Sequence, residues 1–69
     1  GIDINAQARY DHTPLHYAVA NNRANIVELL ITSGAEVDAK GEQNWTPLHA
    51  ASQYGSLESA RTLIAHGAD

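Results

Sequence analysis

The chain has 69 residues and no cysteine, so it forms one small unit with neither disulfides nor thiolate–metal staples to hold it. Its net charge is −4, and its basic residues, Arg9, Arg23, Lys40 and Arg61, are scattered singly, which leaves no cationic groove to track phosphates and sets nucleic acid aside as a partner. No apolar run approaches the roughly 18–20 residues that span a bilayer and no secretory leader pattern opens the chain. The lack of cysteine suits a reducing compartment, so the expected location is intracellular, cytoplasmic or nuclear, with no membrane partner.

The first predicted helix begins at Thr13. Its hydroxyl can cap the first turn, and Pro14 suits the first helical position, where its missing N–H costs nothing. Leu15, Ala18 and Val19 make one apolar stripe. Asn21 or Asn22 ends the helix, since Asn tolerates the left-handed conformation. A second helix follows, about residues 24–33, with Ile26, Val27, Leu29, Leu30 and Ile31 as the most apolar part of the chain. Gly34 stops it.

Residues 36–45 are polar apart from Val37, Ala39 and Trp45. They carry the turn formers Asp38, Gly41 and Asn44, so a hairpin-like connection is expected. Thr46-Pro47-Leu48-His49 then opens a third helix, Gly55 separates it from a fourth, and Gly67 stops the fourth. In that last helix Ser59 and Thr62 stand where the second helix has Ile26 and Leu29, which predicts looser packing of the second half. With Arg61 they also fit a polar terminal cap.

Thr-Pro-Leu-His thus occurs twice, as Thr13–His16 and Thr46–His49, 33 residues apart. Gly34-Ala35 and Gly67-Ala68 repeat at the same interval, and Gly1 extends the glycine series. A fixed period in the low thirties marks a stacked repeat, which offers an extended binding surface.

On this period, on the repeated tetrapeptide, on Ala18 and Ala51 inside the first helix of each unit, and on Gly55 and the Gly-Ala pairs, the whole chain resembles the ankyrin repeat family. Ile4-Asn5-Ala6 and Val37-Asp38-Ala39 look like the family's repeat ending. The resemblance implies an all-α solenoid of stacked helix-turn-helix units joined by β-hairpin-like turns. Residues 1–6 would end a preceding repeat, 7–39 form a full repeat and 40–69 a nearly full one. The expectation is an excerpt of a longer array or a minimal one, because such units stabilise one another in threes or more. Asp11 and Asn44 replace the family's usual turn glycine, and both can take a positive φ. The scaffold residues would be Thr13, Pro14, Leu15, His16, Gly34, Thr46, Pro47, Leu48, His49, Gly55 and Gly67, with the two tetrapeptide histidines tying neighbouring turns by hydrogen bonds.

Four histidines raise the question of a metal. His12 and His16 are four residues apart, but Thr13-Pro14 lies between them, so His12 is expected to precede the helix and point elsewhere. Zinc needs three or four converging ligands, and no such set is evident. Local triad patterns and glycine-rich phosphate loops are absent too, so neither catalysis nor a cofactor is expected.

Residues that differ between the units are free to face solvent. The resemblance implies that turn tips and helix ends on the concave face contact a protein partner. These are Arg9, Tyr10, His12, Asn21, Glu42, Gln43, Trp45, Gln53 and Tyr54, with Ser33 and His66 at a further contact position. Trp45 has two readings: a binding anchor, or a ring folded onto its own hairpin or onto Tyr10. Tyr17 is expected to pack partly, and Arg9 and Glu42 could pair across units. The expected function is non-enzymatic protein–protein recognition; the alternative is self-association, end to end, through exposed apolar faces.

Overall fold

The computed structural model describes residues 3–68. Gly1, the first of the glycine series, lies outside the described residues, as do Ile2 and Asp69. Four helices follow one another: α1 (Pro14–Ala20), α2 (Ala24–Thr32), α3 (Pro47–Tyr54) and α4 (Leu57–Ala65). No strand occurs among the described residues, so the fold is all-α.

The tetrapeptide explains why α1 and α3 start where they do. Thr46 N–H donates to His49 Nδ1 (3.0 Å), while Thr46 Oγ1 accepts from the His49 N–H (3.3 Å). Pro47 fills the first helical position. Thr13 and His16 form the same reciprocal cap at α1. Two free donors of each helix end are thereby satisfied. α1 ends through Asn22 at φ 52, and α3 ends through Gly55 at φ 63, where glycine meets no steric penalty.

The helices form two layers. α1 packs on α3, α2 packs on α4, and each pair is closed by α1 on α2 and α3 on α4. Leu15, Val19, Val27 and Leu63 are wholly buried between them, with Ala50 and Ala51 filling the narrow gap. Burying each such branched side chain contributes about 1.5–3 kcal/mol. Alanines at the helix contacts let the layers approach closely.

Polar side chains lace one unit to the next. Ser59 is one of the two residues, with Thr62, expected to loosen the second unit, yet it is wholly buried. Its N–H and Oγ both donate to Asn22 Oδ1, at 3.3 and 3.1 Å. The register equivalent Ile26 lies on the open end of the first unit and is half exposed. The serine is therefore a tie across the joint, and the isoleucine is the residue without a neighbour to bury it. Gln7 Nε2 donates to Lys40 O (3.0 Å). Asn5 accepts from Glu36 N–H (2.8 Å) and donates to Gly34 O (3.3 Å).

Two short tight turns, Arg9–Asp11 and Glu42–Asn44, project from the helix layers. Each is clasped like a hairpin: Ala8 N–H donates to His12 O (2.8 Å), and Gly41 N–H to Trp45 O (2.7 Å). Asp11 (φ 58) and Asn44 (φ 61) take the left-handed conformation expected of them. So do Tyr10 (φ 59) and Gln43 (φ 57), which the sequence did not announce. Gly41 is more than a turn former. A Cβ there would lie 2.7 Å from His12 Cδ2 and 3.2 Å from Tyr10 O, so glycine is what lets the second fingertip press against the first.

Candidate functional site

The two fingertips and the end of α3 enclose a shallow notch of about 310 Å³, lined by Tyr10, His12, Glu42, Gln43, Trp45 and Tyr54. Local backbone geometry sets this up. The consecutive positive φ angles at residues 10–11 and 43–44 turn each fingertip tightly. A bulky residue such as Tyr10 in that region is strained by roughly 1–2 kcal/mol. Strain of this kind concentrates where a side chain is held for use.

His12 sits at the centre of a ring cluster. It stacks on His16 (centroids 4.8 Å apart, planes at 13°) and meets Tyr17 edge-on at 5.8 Å and Tyr10 at 6.1 Å. The expectation that His12 points away from His16 is thus corrected: the chain curls into the helix cap and lays one ring over the other. Trp45, the register equivalent of His12, repeats the arrangement by stacking on His49 at 5.4 Å. It is half-buried and packs against the core, so it is a fixed wall of the notch as well as part of the scaffold. Tyr10 and Tyr54 are the open walls, 60% and 64% exposed.

His16 ties the first helix cap to the second fingertip. Its Nδ1 accepts from Thr13 N–H (3.0 Å), which leaves the ring proton on Nε2 to donate to Trp45 O (2.7 Å). Burial pushes its pKa below the usual histidine value; the Trp45 carbonyl opposes this and nearby His12 adds to it. His49 keeps the Thr46 half of the arrangement but is exposed. Among the described residues the inter-unit tie expected of both histidines is made by His16 alone.

Not every candidate residue joins the notch. The Arg9 guanidinium lies over the Tyr10 ring, 5.7 Å from its centroid. Among the described residues no ion pair joins it to Glu42, so the cross-unit pair suggested by their register is not formed. Gln53 is exposed beside Tyr54 on α3. Asn21 turns back to donate to Tyr17 O (2.9 Å) and lines a separate depression at the end of the stack. Ser33 and His66 follow the ends of α2 and α4, and His66 Nε2 lies 3.6 Å from Glu28 Oε1.

Gly41 reads from the sequence only as a turn former, which misses its close approach to His12, and the amide ties of Asn5, Gln7 and Asn22 are missed as well. The 33-residue period itself held one signal, since Gln7 bonds the residue 33 positions ahead of it. Among the described residues no group of three or more His, Cys, Asp or Glu could hold a metal ion, and no helix is long and apolar enough to cross a membrane.

Comparison with known proteins agrees with this architecture. The family model described as "Ankyrin repeats (3 copies)" matches residues 1–69. Palmitoyltransferase Hip14 of Drosophila melanogaster is 44% identical over 70 residues, covering all of this chain and 11% of that protein. NF-kappa-B inhibitor alpha of Gallus gallus is 41% identical over 63 residues, covering 91% of this chain and 20% of that protein. The B-cell lymphoma 3 protein homolog of Mus musculus is 43% identical over 70 residues, covering all of this chain and 16% of that protein. The chain thus spans a fifth or less of the length of these relatives. The 33-residue ruler, the two capped helix pairs with their projecting turns, and the match along the full length lead to one conclusion: the chain belongs to the ankyrin repeat family, whose repeats are protein-interaction modules.

Proposed function

We propose that this chain is a non-enzymatic recognition module that binds a protein partner through the fingertip notch. The observation that carries the reading is convergence. Six residues that differ between the two units line one concavity, and two of them are tyrosines more than half exposed. Tyrosine and tryptophan in a preformed, partly desolvated pocket are the residues that dominate binding energy. In this reading Tyr54 and Trp45 supply burial, while His12, Glu42 and Gln43, with Arg9 and Gln53 at the rim, select the partner. Asn21, Ser33 and His66 are peripheral contacts at most. The repeats themselves run over residues 7–39 and 40–69.

A photo-crosslinking residue at Gln53 is expected to capture a partner that the same residue at Arg61, on α4, does not. Titration with that purified partner should then show Tyr54→Ala losing at least tenfold in affinity with helicity unchanged. Equal capture at both positions, or unchanged affinity, refutes the assignment.

Self-association is a second reading, favoured by apolar depressions at both ends of the stack. One of about 620 Å³ is lined by Pro14, Tyr17, Ala18, Ile26 and Leu30. The other, about 380 Å³, is lined by Leu48, Ala51, Leu57 and Ala60. Head-to-tail contacts between such unlike faces can propagate. Sedimentation equilibrium should show mass rising with concentration, an effect reduced by Ile26→Glu; a strict monomer at high concentration removes this reading.

A further inference from the structure

We propose that the fingertip notch takes a basic side chain, lysine or arginine, of the protein partner; this rests on reading the notch as the partner-binding surface. A cation is held by the negative faces of aromatic rings and by a carboxylate, and tryptophan offers the most favourable face. The notch brings these together: Tyr10, Trp45 and Tyr54 supply rings, and Glu42 supplies a carboxylate. None of the six lining residues is lysine or arginine, so nothing in the lining itself neutralises Glu42.

One cation of the chain itself already lies on a ring of this lining. Arg9 lays its guanidinium over Tyr10 at 5.7 Å, inside the roughly 6 Å range of a cation–π contact. It occupies Tyr10; of the other two rings, Tyr54 is 64% exposed, and Trp45 is half-buried with one face stacked on His49. The stacking of Trp45 on His49 fixes the indole before the partner arrives, which lowers the ordering cost of binding. The net charge of −4 favours approach of a basic segment over an acidic one. An acidic side chain would meet Glu42, and a plain apolar one would leave the Glu42 carboxylate and the Gln43 amide without a role.

Trp45 is the only tryptophan in the chain, so its fluorescence reports on the notch directly. The test titrates the 69-residue chain with N-acetyl-lysine-N′-methylamide, its arginine counterpart, and the neutral norleucine counterpart of equal stem length. Saturable quenching of Trp45 by the lysine or the arginine probe, with at least tenfold lower Kd than norleucine, is the expected result. Whichever basic probe binds more tightly names the side chain. Glu42→Gln, on an exposed turn that leaves the core untouched, should weaken the basic probe at least threefold and leave norleucine unchanged. Equal binding of norleucine, or no saturable binding of either basic probe, overturns the proposal. If a partner still loses affinity in Tyr54→Ala after that outcome, the notch is an apolar seat and the recognition reading stands; if it does not, that reading fails separately.

Discussion

His16 and His49 belong to the same tetrapeptide and cap their helices in the same way, yet one is buried and the other is exposed. The difference is the neighbour. His16 has the fingertip of the next unit against it and donates to the Trp45 carbonyl, whereas among the described residues no further fingertip lies against His49. A four-residue motif therefore dictates the local half of the structure, the cap and the ring orientation. The other half is dictated by what stacks on top. Ile26 and Ser59 teach the same lesson: the apolar residue is the exposed one, because no described helix packs on its side.

Removing the two rings separately breaks this comparison most sharply. His16→Ala should cost about 2–4 kcal/mol, since it empties a buried site and strands the Thr13 N–H and the Trp45 carbonyl. His49→Ala should cost about 1 kcal/mol or less, the worth of half a capping box. Urea denaturation of both variants decides it, and equal losses would show that the neighbour contributes nothing.

The joint at Asn22 is the next target. Asn22→Ala leaves the Ser59 N–H and hydroxyl buried without their acceptor, a loss of about 1–3 kcal/mol. Asn22→Gly removes the same acceptor but relaxes the positive φ, so it should cost less than Asn22→Ala. If both variants match the parent in thermal melts, the tie is ornamental.

Acid should sharpen the contrast more gently. The His16 pKa lies below the unfolded value of 6.5, so the unfolded chain binds the proton more readily. Stability is then fully present above about pH 6.5 and falls as pH drops below it, by at most about 1.4 kcal/mol per pH unit for one proton. His16→Gln should flatten that slope in denaturation measured from pH 7 to pH 5.

The helices, their caps and their stops were legible because each rests on short-range chemistry: a threonine before a proline, an asparagine or glycine at a left-handed position. The 33-residue period also picks out the residues that vary between the units, and six of them line one notch, but it does not sort buried from exposed, since variable Ser59 is wholly buried and repeated His49 is exposed. What the sequence hid depends on partners far along the chain. Nothing local says that Gly41 must be small until His12 lies 2.7 Å from its missing Cβ. The curl that stacks His12 on His16 follows from two adjacent left-handed residues, one of them a tyrosine, for which propensity gives no warning. Ser59 reads as a weak core residue until Asn22 reaches it from the neighbouring unit.

The central claim is that the variable fingertips, and not the shared scaffold, carry recognition. Isothermal titration of the crosslinked partner against the parent chain, Tyr54→Ala and Ile64→Ala tests it directly. Both side chains are exposed to about the same degree, 64% and 60%, so folding is not at issue in either variant. Tyr54→Ala should lose at least tenfold in affinity, and Ile64→Ala, on the opposite layer, should lose none. Equal affinities for the two, or a loss confined to Ile64→Ala, would contradict it.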